Sequence, residues 1–240
     1  MKKKGFVCVC GVMICLLLAA TVTAGFRVHT NTAAVMNALT ERVVILDPGH
    51  GGIDGGAVSA DGLVEKEINL AIALQLRELL ELSGFTVIMT RETDRSVHDP
   101  SANTIREIKT TDIHNRFRLM QQYPNAIFLS IHQNCFTESK SNGAQFFYAP
   151  KSDNGKQLAV CLHRAMKNML QPENKREIKP CDSNVYLIYH AETTAVLAEC
   201  GFLSNQEEAE KLSNTDYQKK ISFVLFSGLL DYYNSDIRLE

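Results

Sequence analysis

The chain has 240 residues, 45% of them hydrophobic, so it is long enough to form one domain with a substantial buried core. Its 25 Lys and Arg residues nearly balance its 27 Asp and Glu residues. This balance excludes the basic surplus typical of nucleic-acid-binding proteins and the acidic runs typical of disordered tails. We therefore expect no nucleic-acid partner.

The amino-terminal segment is predicted to direct export. Lysines at positions 2–4 precede residues 5–26, which carry no charge and are numerous enough to span a bilayer. Val-Thr-Ala at 22–24 resembles a signal-peptide cleavage site. Residues 1–26 are therefore either a cleaved signal peptide or a retained membrane anchor, since a buried core helix rarely lacks a polar face. We expect the rest of the chain outside the cytoplasmic membrane, at its outer face or in the cell wall.

The exported part is predicted to be one domain with short flanks. Residues 27–41 are a mixed polar stretch typical of a linker, residues 42–234 contain the domain, and residues 235–240 form a polar tail. Four cysteines lie in the domain, without a C-x-x-C pair or zinc-ribbon spacing. We expect buried thiols, although an exported protein could pair two of them: Cys135, Cys161, Cys181 and Cys200.

Strand-like and helix-like segments alternate along the domain. The helical spacing of apolar residues is clearest in 67–83, which Gly84 follows. Strands are predicted at Arg42–Leu46, Thr86–Thr90, Ala126–His132, Gly143–Tyr148, Val185–Tyr189 and Ala195–Glu199. Helices are predicted at Glu67–Ser83, Thr104–Tyr123, Asp153–Leu170, Asn205–Leu212 and Asp216–Tyr233.

This alternation predicts an α/β fold, a three-layer sandwich in which a mostly parallel central sheet of about six strands has helices on both faces. Binding sites of such sheets gather at the carboxyl ends of the strands. The motifs DPGH, SIHQN and AECGF stand at three predicted strand ends. We therefore expect their polar side chains to meet at one edge.

A glycine-rich turn with a single histidine follows the first strand, in VILDPGHGGIDGGA. The stretch lacks the Lys and Ser or Thr of a P-loop and does not fit G-x-G-x-x-G, so it is not a nucleotide loop. An imidazole on a sharp turn at a strand end is typical of a metal ligand or a catalytic base. His50 is that residue.

Three further residues complete a candidate site. His132 and Glu199 end predicted strands, and Glu65 stands at the entrance of the first helix. Two imidazoles and one carboxylate are typical of a hydrolytic zinc with an open fourth position, and a further carboxylate can act as general base. Each residue also has a structural explanation: a hydrogen-bonded histidine, or a glutamate that stabilises a helix amino terminus. Glu199 directly follows a predicted buried strand, and a carboxylate at such a place is costly unless it is paired or used.

Five motifs, in order, resemble those of the zinc-dependent N-acetylmuramoyl-L-alanine amidases of the Amidase_3 type: DPGHGGIDGGA, GLVEKEINLA, TRETD, SIHQN and LAECGFLSN. The resemblance covers roughly Val43 to Tyr233. It implies that His50, Glu65 and His132 bind one zinc ion per chain and that Glu199 is the catalytic carboxylate. Gln133 and Cys135 stand where the family often has small residues.

The resemblance also implies a substrate and a setting. The substrate would be peptidoglycan, cut between the lactyl group of N-acetylmuramic acid and L-alanine. The short single-domain form is most similar to the spore-cortex, germination-specific CwlD subgroup, which implies a role before muramic-δ-lactam formation in the cortex. Two alternatives are a zinc peptidase that cuts within the stem peptide and a non-catalytic wall-binding protein. An activating protein partner is left open, and a retained anchor would add the membrane as a partner.

Overall fold

A computed structural model describes residues 42–236, which form a six-stranded sheet with helices on both of its faces. The strands are β1 (Val43–Pro48), β2 (Thr86–Met89), β3 (Ile127–Asn134), β4 (Gln145–Tyr148), β5 (Lys179–Pro180) and β6 (Thr194–Phe202). The helices are α1 (Glu65–Leu82), α2 (Ile105–Gln121), α3 (Asp153–Met169), α4 (Tyr186–Tyr189), α5 (Gln206–Ser213) and α6 (Thr215–Asp236).

The sheet has the strand order β2-β1-β3-β6-β4-β5. All neighbouring strands are parallel except β4, which runs antiparallel to β6. The prediction of a three-layer sandwich with a mostly parallel sheet of about six strands is therefore confirmed.

The alternation of side chains along β1 explains the three layers. Val44 and Leu46 lie in the core cluster that contains the apolar faces of α1, α3 and α6. Ile45 points the other way, into a cluster with residues of α2 and α4. Because successive side chains of a strand face opposite sides, a continuous apolar strand requires a helix layer on each side.

One predicted strand is wrong. Val185–Tyr189 is predicted as a strand, but Tyr186–Tyr189 forms the short helix α4. The strand that completes the six-stranded sheet is instead β5, Lys179–Pro180. A short apolar run rich in aromatic residues does not distinguish a strand from one turn of buried helix. The two-residue strand β5 has no apolar pattern that a sequence could show.

The carboxyl ends of three neighbouring strands define the functional edge of the sheet. In the parallel β1–β3 pair Asp47 aligns with Ser130, and in the parallel β3–β6 pair His132 aligns with Glu199. The motifs DPGH, SIHQN and AECGF are therefore adjacent in space although they are far apart in sequence.

Three remaining expectations concern the flanks and the thiols. The predicted export segment 1–26 and linker 27–41 lie outside the described residues. Within residues 42–236, none of the helices is long and apolar enough to cross a membrane. Of the four cysteines there, three are buried as expected, but Cys135 is exposed because it follows the end of β3, where the chain leaves the sheet.

Candidate metal centre and catalytic site

The turn that carries His50 has an unusual backbone conformation. His50 has a φ of 62°, a left-handed value that residues with a side chain seldom adopt. The Arg116 guanidinium donates to the His50 carbonyl at 2.7 Å, and the Asp54 carboxylate lies 2.9 Å from His50 Nδ1. These two contacts hold the ring so that Nε2 remains available to a ligand or to Glu65.

A buried ion pair between Arg116 and Asp47 stabilises the turn that carries His50. Arg116 Nη1 lies 2.5 Å from the Asp47 carboxylate, and both side chains are almost completely buried. The same guanidinium also donates to the Pro48 carbonyl at 3.0 Å and bonds Asp112. Since Asp47 and Pro48 end β1, helix α2 fixes the position at which the His50 turn leaves the sheet.

Glu65 begins helix α1 with its carboxylate turned into the site. Its Oε2 accepts from the Ala57 backbone N–H at 2.8 Å, and its Oε1 accepts from the Gln133 backbone N–H at 3.1 Å. Glu65 Oε2 lies 3.2 Å from His50 Nε2, and Oε1 lies 2.9 Å from His132 Nδ1. The carboxylate therefore stands between the two imidazoles.

His50, Glu65 and His132 form a group that can hold a metal ion. One ligand atom of each residue lies within 4.8 Å of the others, and the two rings meet edge to face with centroids 4.9 Å apart. Two ligands of one tetrahedral zinc ion are roughly 3.3 Å apart, given bond lengths near 2.0 Å. The contacts of Glu65 with the two rings match this spacing, so the residues fit zinc.

The charges in this group are strongly coupled. Burial alone would lower the pKa of His50, but hydrogen bonds with Asp54 and Glu65 outweigh it and raise that pKa to about 9. Burial would raise the pKa of Glu65, but the hydrogen bonds from His132 and His50 hold it well below its usual range. A cation is thus favoured between these groups, and a metal ion would displace the imidazole proton.

Glu199 stands next to the group in a different environment. Burial raises the pKa of its carboxyl to about 7, against the attraction of His132 and with the repulsion of Glu65. Its Oε2 is buried and has no hydrogen-bond partner among residues 42–236. A buried carboxyl without a partner is costly for the fold, which is typical of a group that a reaction uses.

A cleft opens beside these residues. It has a volume of about 260 Å³, and its lining includes His50, His132 and Glu199 together with Tyr186 and its neighbours in α4. Lys109 also lines it, half-exposed and 2.8 Å from Asp54. A substrate that reaches the metal group must enter here.

The structure thus brings all four predicted site residues together. Sequence reasoning gave no role to Asp54, to Asn69 or to helix α4. Asp54 lies four residues after His50 in the glycine-rich turn, and Asn69 lies four residues after Glu65, one turn along α1. For Asp54, whose carboxylate can reach a histidine four residues earlier in the same turn, this spacing was a usable signal.

Comparison with known proteins decides the family. The Amidase_3 family, described as N-acetylmuramoyl-L-alanine amidase, matches residues 44–231. The chain belongs to this family. The amidase activity of the family, hydrolysis of the bond between N-acetylmuramic acid and L-alanine in peptidoglycan, is therefore the activity of this chain.

Individual amidases support a CwlD-like position within the family. The germination-specific N-acetylmuramoyl-L-alanine amidase of Bacillus subtilis is 32% identical over 195 residues, which cover 81% of each chain. The CwlD amidase of Clostridioides difficile, solved in complex with the GerS lipoprotein, is 41% identical with a TM-score of 0.78 and covers 81% of this chain and 99% of that one. The amidase AmiC2 of Nostoc punctiforme is 25% identical with a TM-score of 0.69, covering 80% and 97%.

Proposed function

We propose that this amidase is zinc-dependent, with one zinc ion held by His50, Glu65 and His132 and with Glu199 as the general base. The observation that carries the proposal is the contrast between two neighbouring carboxylates. Glu65 accepts bonds on both oxygens between two imidazoles, whereas Glu199 keeps one buried oxygen without a partner beside the same cleft. When bound, zinc supplies Lewis-acid chemistry, because it lowers the pKa of a water molecule and stabilises negative charge on the substrate carbonyl.

Residues of the chain itself orient the proposed ligand His50 and transfer the proton of the attacking water. Asp54 holds His50 Nδ1, which leaves Nε2 as the ligand atom. Glu199 takes the proton of the attacking water on its free Oε2 and passes it to the leaving amine of L-alanine. A carboxyl whose pKa is about 7 can both accept and return a proton near neutral pH. Gly49 and Gly56 leave room for the proposed ligands, because a Cβ at Gly49 would meet the His132 ring and one at Gly56 would meet Glu65 and His50.

The proposed setting is the exported space of a spore-forming cell. The germination-specific relative and the CwlD structure support a role in the spore cortex. The proposal is that the enzyme removes stem peptides there before muramic-δ-lactam forms. The CwlD relative was solved with a lipoprotein, so the proposal includes a protein partner for this chain. Residues 1–26 would direct the export, as a cleaved signal or as an anchor.

The test is the digestion of purified peptidoglycan by a protein of residues 27–240 loaded with zinc. Mass spectrometry should show peptide-free glycan and intact stem peptides that begin with L-alanine. Products cut within the stem peptide would support the zinc peptidase alternative, and intact peptidoglycan the non-catalytic one. His50→Ala and His132→Ala should each lose most of the zinc, and full zinc occupancy in both variants would contradict the ligand assignment.

A further inference from the structure

The three proposed ligands come from three distant segments, and one buried side chain bonds all three segments. Asn69 lies on α1 one turn after Glu65 and is completely buried. Its Nδ2 lies 3.3 Å from the Gly49 carbonyl, next to His50, and 3.3 Å from Glu65 Oε1. Its Oδ1 accepts from Gln133 Nε2 at 3.1 Å, next to His132.

The orientation of this amide follows from its surroundings. A carbonyl and a carboxylate are acceptors only, so the group that faces Gly49 and Glu65 must be the NH₂ group. The Asn69 oxygen must then face Gln133, which can offer it only its own NH₂ group. Gln133 therefore donates to Asn69, and Asn69 donates to Glu65 and Gly49. Exchanging the oxygen and nitrogen of the Asn69 amide would lose all three bonds.

We propose that Asn69, oriented by Gln133, is a positioning residue that sets the spacing of the three metal ligands before the metal binds. The proposal rests on the metal site of the proposed function. Neither side chain lines the cleft, so neither contacts substrate. Groups that hold metal ligands in place commonly change metal affinity by about 10- to 100-fold when they are removed.

The experiment compares Asn69→Ala, Gln133→Ala and the double variant with the parent. The zinc dissociation constant is measured by competition with a chromogenic chelator, and the melting temperature of each metal-free protein is recorded. Asn69→Ala should weaken zinc binding by about 10-fold or more, and Gln133→Ala by less. Because Gln133 acts through Asn69, the double variant should bind zinc no more weakly than Asn69→Ala. With zinc saturating, KM should stay at the parental value in every variant.

Gln218→Ala is the matched control. Gln218 is also a buried amide, and it donates to the Leu212 carbonyl at 2.7 Å on α6, away from the cleft. It should lower the melting temperature and leave the zinc dissociation constant unchanged.

Two results would overturn the proposal. One is a zinc affinity of Asn69→Ala within twofold of the parent, and the other is a loss in the double variant that equals the sum of both single losses. If Asn69→Ala does not fold, Gln133→Ala is the deciding variant, because it leaves the backbone pairing of β3 in place. A parental zinc affinity of Gln133→Ala would then refute the positioning role of Asn69. A parent that binds no zinc would refute the proposed function together with this inference, so the two failures are distinguishable.

Discussion

Glu65 and Glu199 are the same residue type, and their surroundings separate their roles. Burial would raise the pKa of Glu65, but its hydrogen bonds with both imidazoles hold that pKa below the usual range. Glu199 Oε2 is buried and has no such partner among residues 42–236, and burial of the carboxyl raises its pKa to about 7. Neighbouring carboxyls whose pKa values are driven apart are typical of one group that stays charged and one that transfers a proton.

The Glu199→Gln variant tests this separation. Gln keeps the size of the side chain but cannot accept the proton, so we expect turnover to fall by at least about 100-fold. Zinc content should stay parental because the three ligands are untouched. Zinc content, melting temperature and hydrolysis are measured on one preparation. Loss of zinc together with activity would make Glu199 a ligand instead, and near-parental turnover would refute the general-base role.

The Asp47–Arg116 pair predicts an acid-sensitive contribution to stability. Burial would raise the pKa of Asp47, but Arg116, with bonds from Ser130 and Thr90, lowers it below the ordinary value of 3.8. A lowered folded-state pKa contributes stability that is present above the ordinary value and is lost as pH falls through the folded value. Asp47→Asn should therefore cost about 3 kcal/mol near neutral pH.

Urea unfolding near neutral pH and about one pH unit below the ordinary value checks this sign. The difference in unfolding free energy between parent and Asp47→Asn should shrink in acid, because Asp47 of the unfolded parent takes up a proton there before the folded protein does. Asp216→Asn is the control, since Asp216 pairs with Lys219 on the surface, where ion pairs contribute about 1 kcal/mol or less. An unchanged gap in acid would contradict the prediction.

Single residues were predictable from the sequence where chemistry and position coincided. His50 follows β1, and His132 and Glu199 lie in the carboxyl-terminal halves of β3 and β6, so the parallel sheet brings them to one edge. Asn69 could not be recognised, because an asparagine on the buried side of a helix indicates only a satisfied polar group. Its importance depends on Gly49 and on Gln133, which lies 64 residues away, and only the fold shows that proximity.

At the scale of elements, the loop between β1 and α1 shapes the site through its glycines. Gly56 has a φ of 72°, and a Cβ there would lie 2.4 Å from Glu65 Oε2 and 2.6 Å from His50 Cδ2. Gly62 in the same loop has a φ of 84°, but a Cβ there would meet no atom within 4 Å. The two glycines share the backbone requirement and differ only in what surrounds them.

Gly56→Ala and Gly62→Ala therefore form a matched pair. Both should lose about 1 kcal/mol of stability, because a left-handed φ is unfavourable for alanine. Only Gly56→Ala should also lose zinc and activity, since its methyl group displaces two proposed ligands. Zinc content and hydrolysis of both variants are measured after purification in zinc. Equal zinc content in the two variants would show that the loop can move aside.

The elements themselves were predictable to different degrees. Helices α1 and α3 have long apolar periodicity, and their predicted bounds differ from the observed ones by no more than two residues. Helix α4 was predicted as a strand, yet Tyr186 and its neighbours form a helical turn that lines the cleft. The error lies in a short apolar segment, where tertiary contacts rather than local pattern decide the conformation.

At the scale of the whole molecule, the three proposed metal ligands come from parts of the chain that are far apart in sequence. His50 follows β1, Glu65 begins α1 and His132 lies in β3, so an unfolded chain does not hold them together. A ligand that binds only the folded protein stabilises it in proportion to the logarithm of its concentration over its dissociation constant. Zinc should therefore raise the stability of the entire domain.

The last prediction is a zinc-dependent melting temperature. With zinc at about 1,000 times its dissociation constant, the folded state should gain about 4 kcal/mol. For a domain of this size that gain corresponds to roughly 10 °C. Chelation should reverse the shift. His132→Ala should melt at the same temperature with and without zinc, whereas His163→Ala on α3, away from the cleft, should keep the full shift. A parental shift in His132→Ala would mean that zinc stabilises the protein from another site, and the ligand set proposed here would then be wrong.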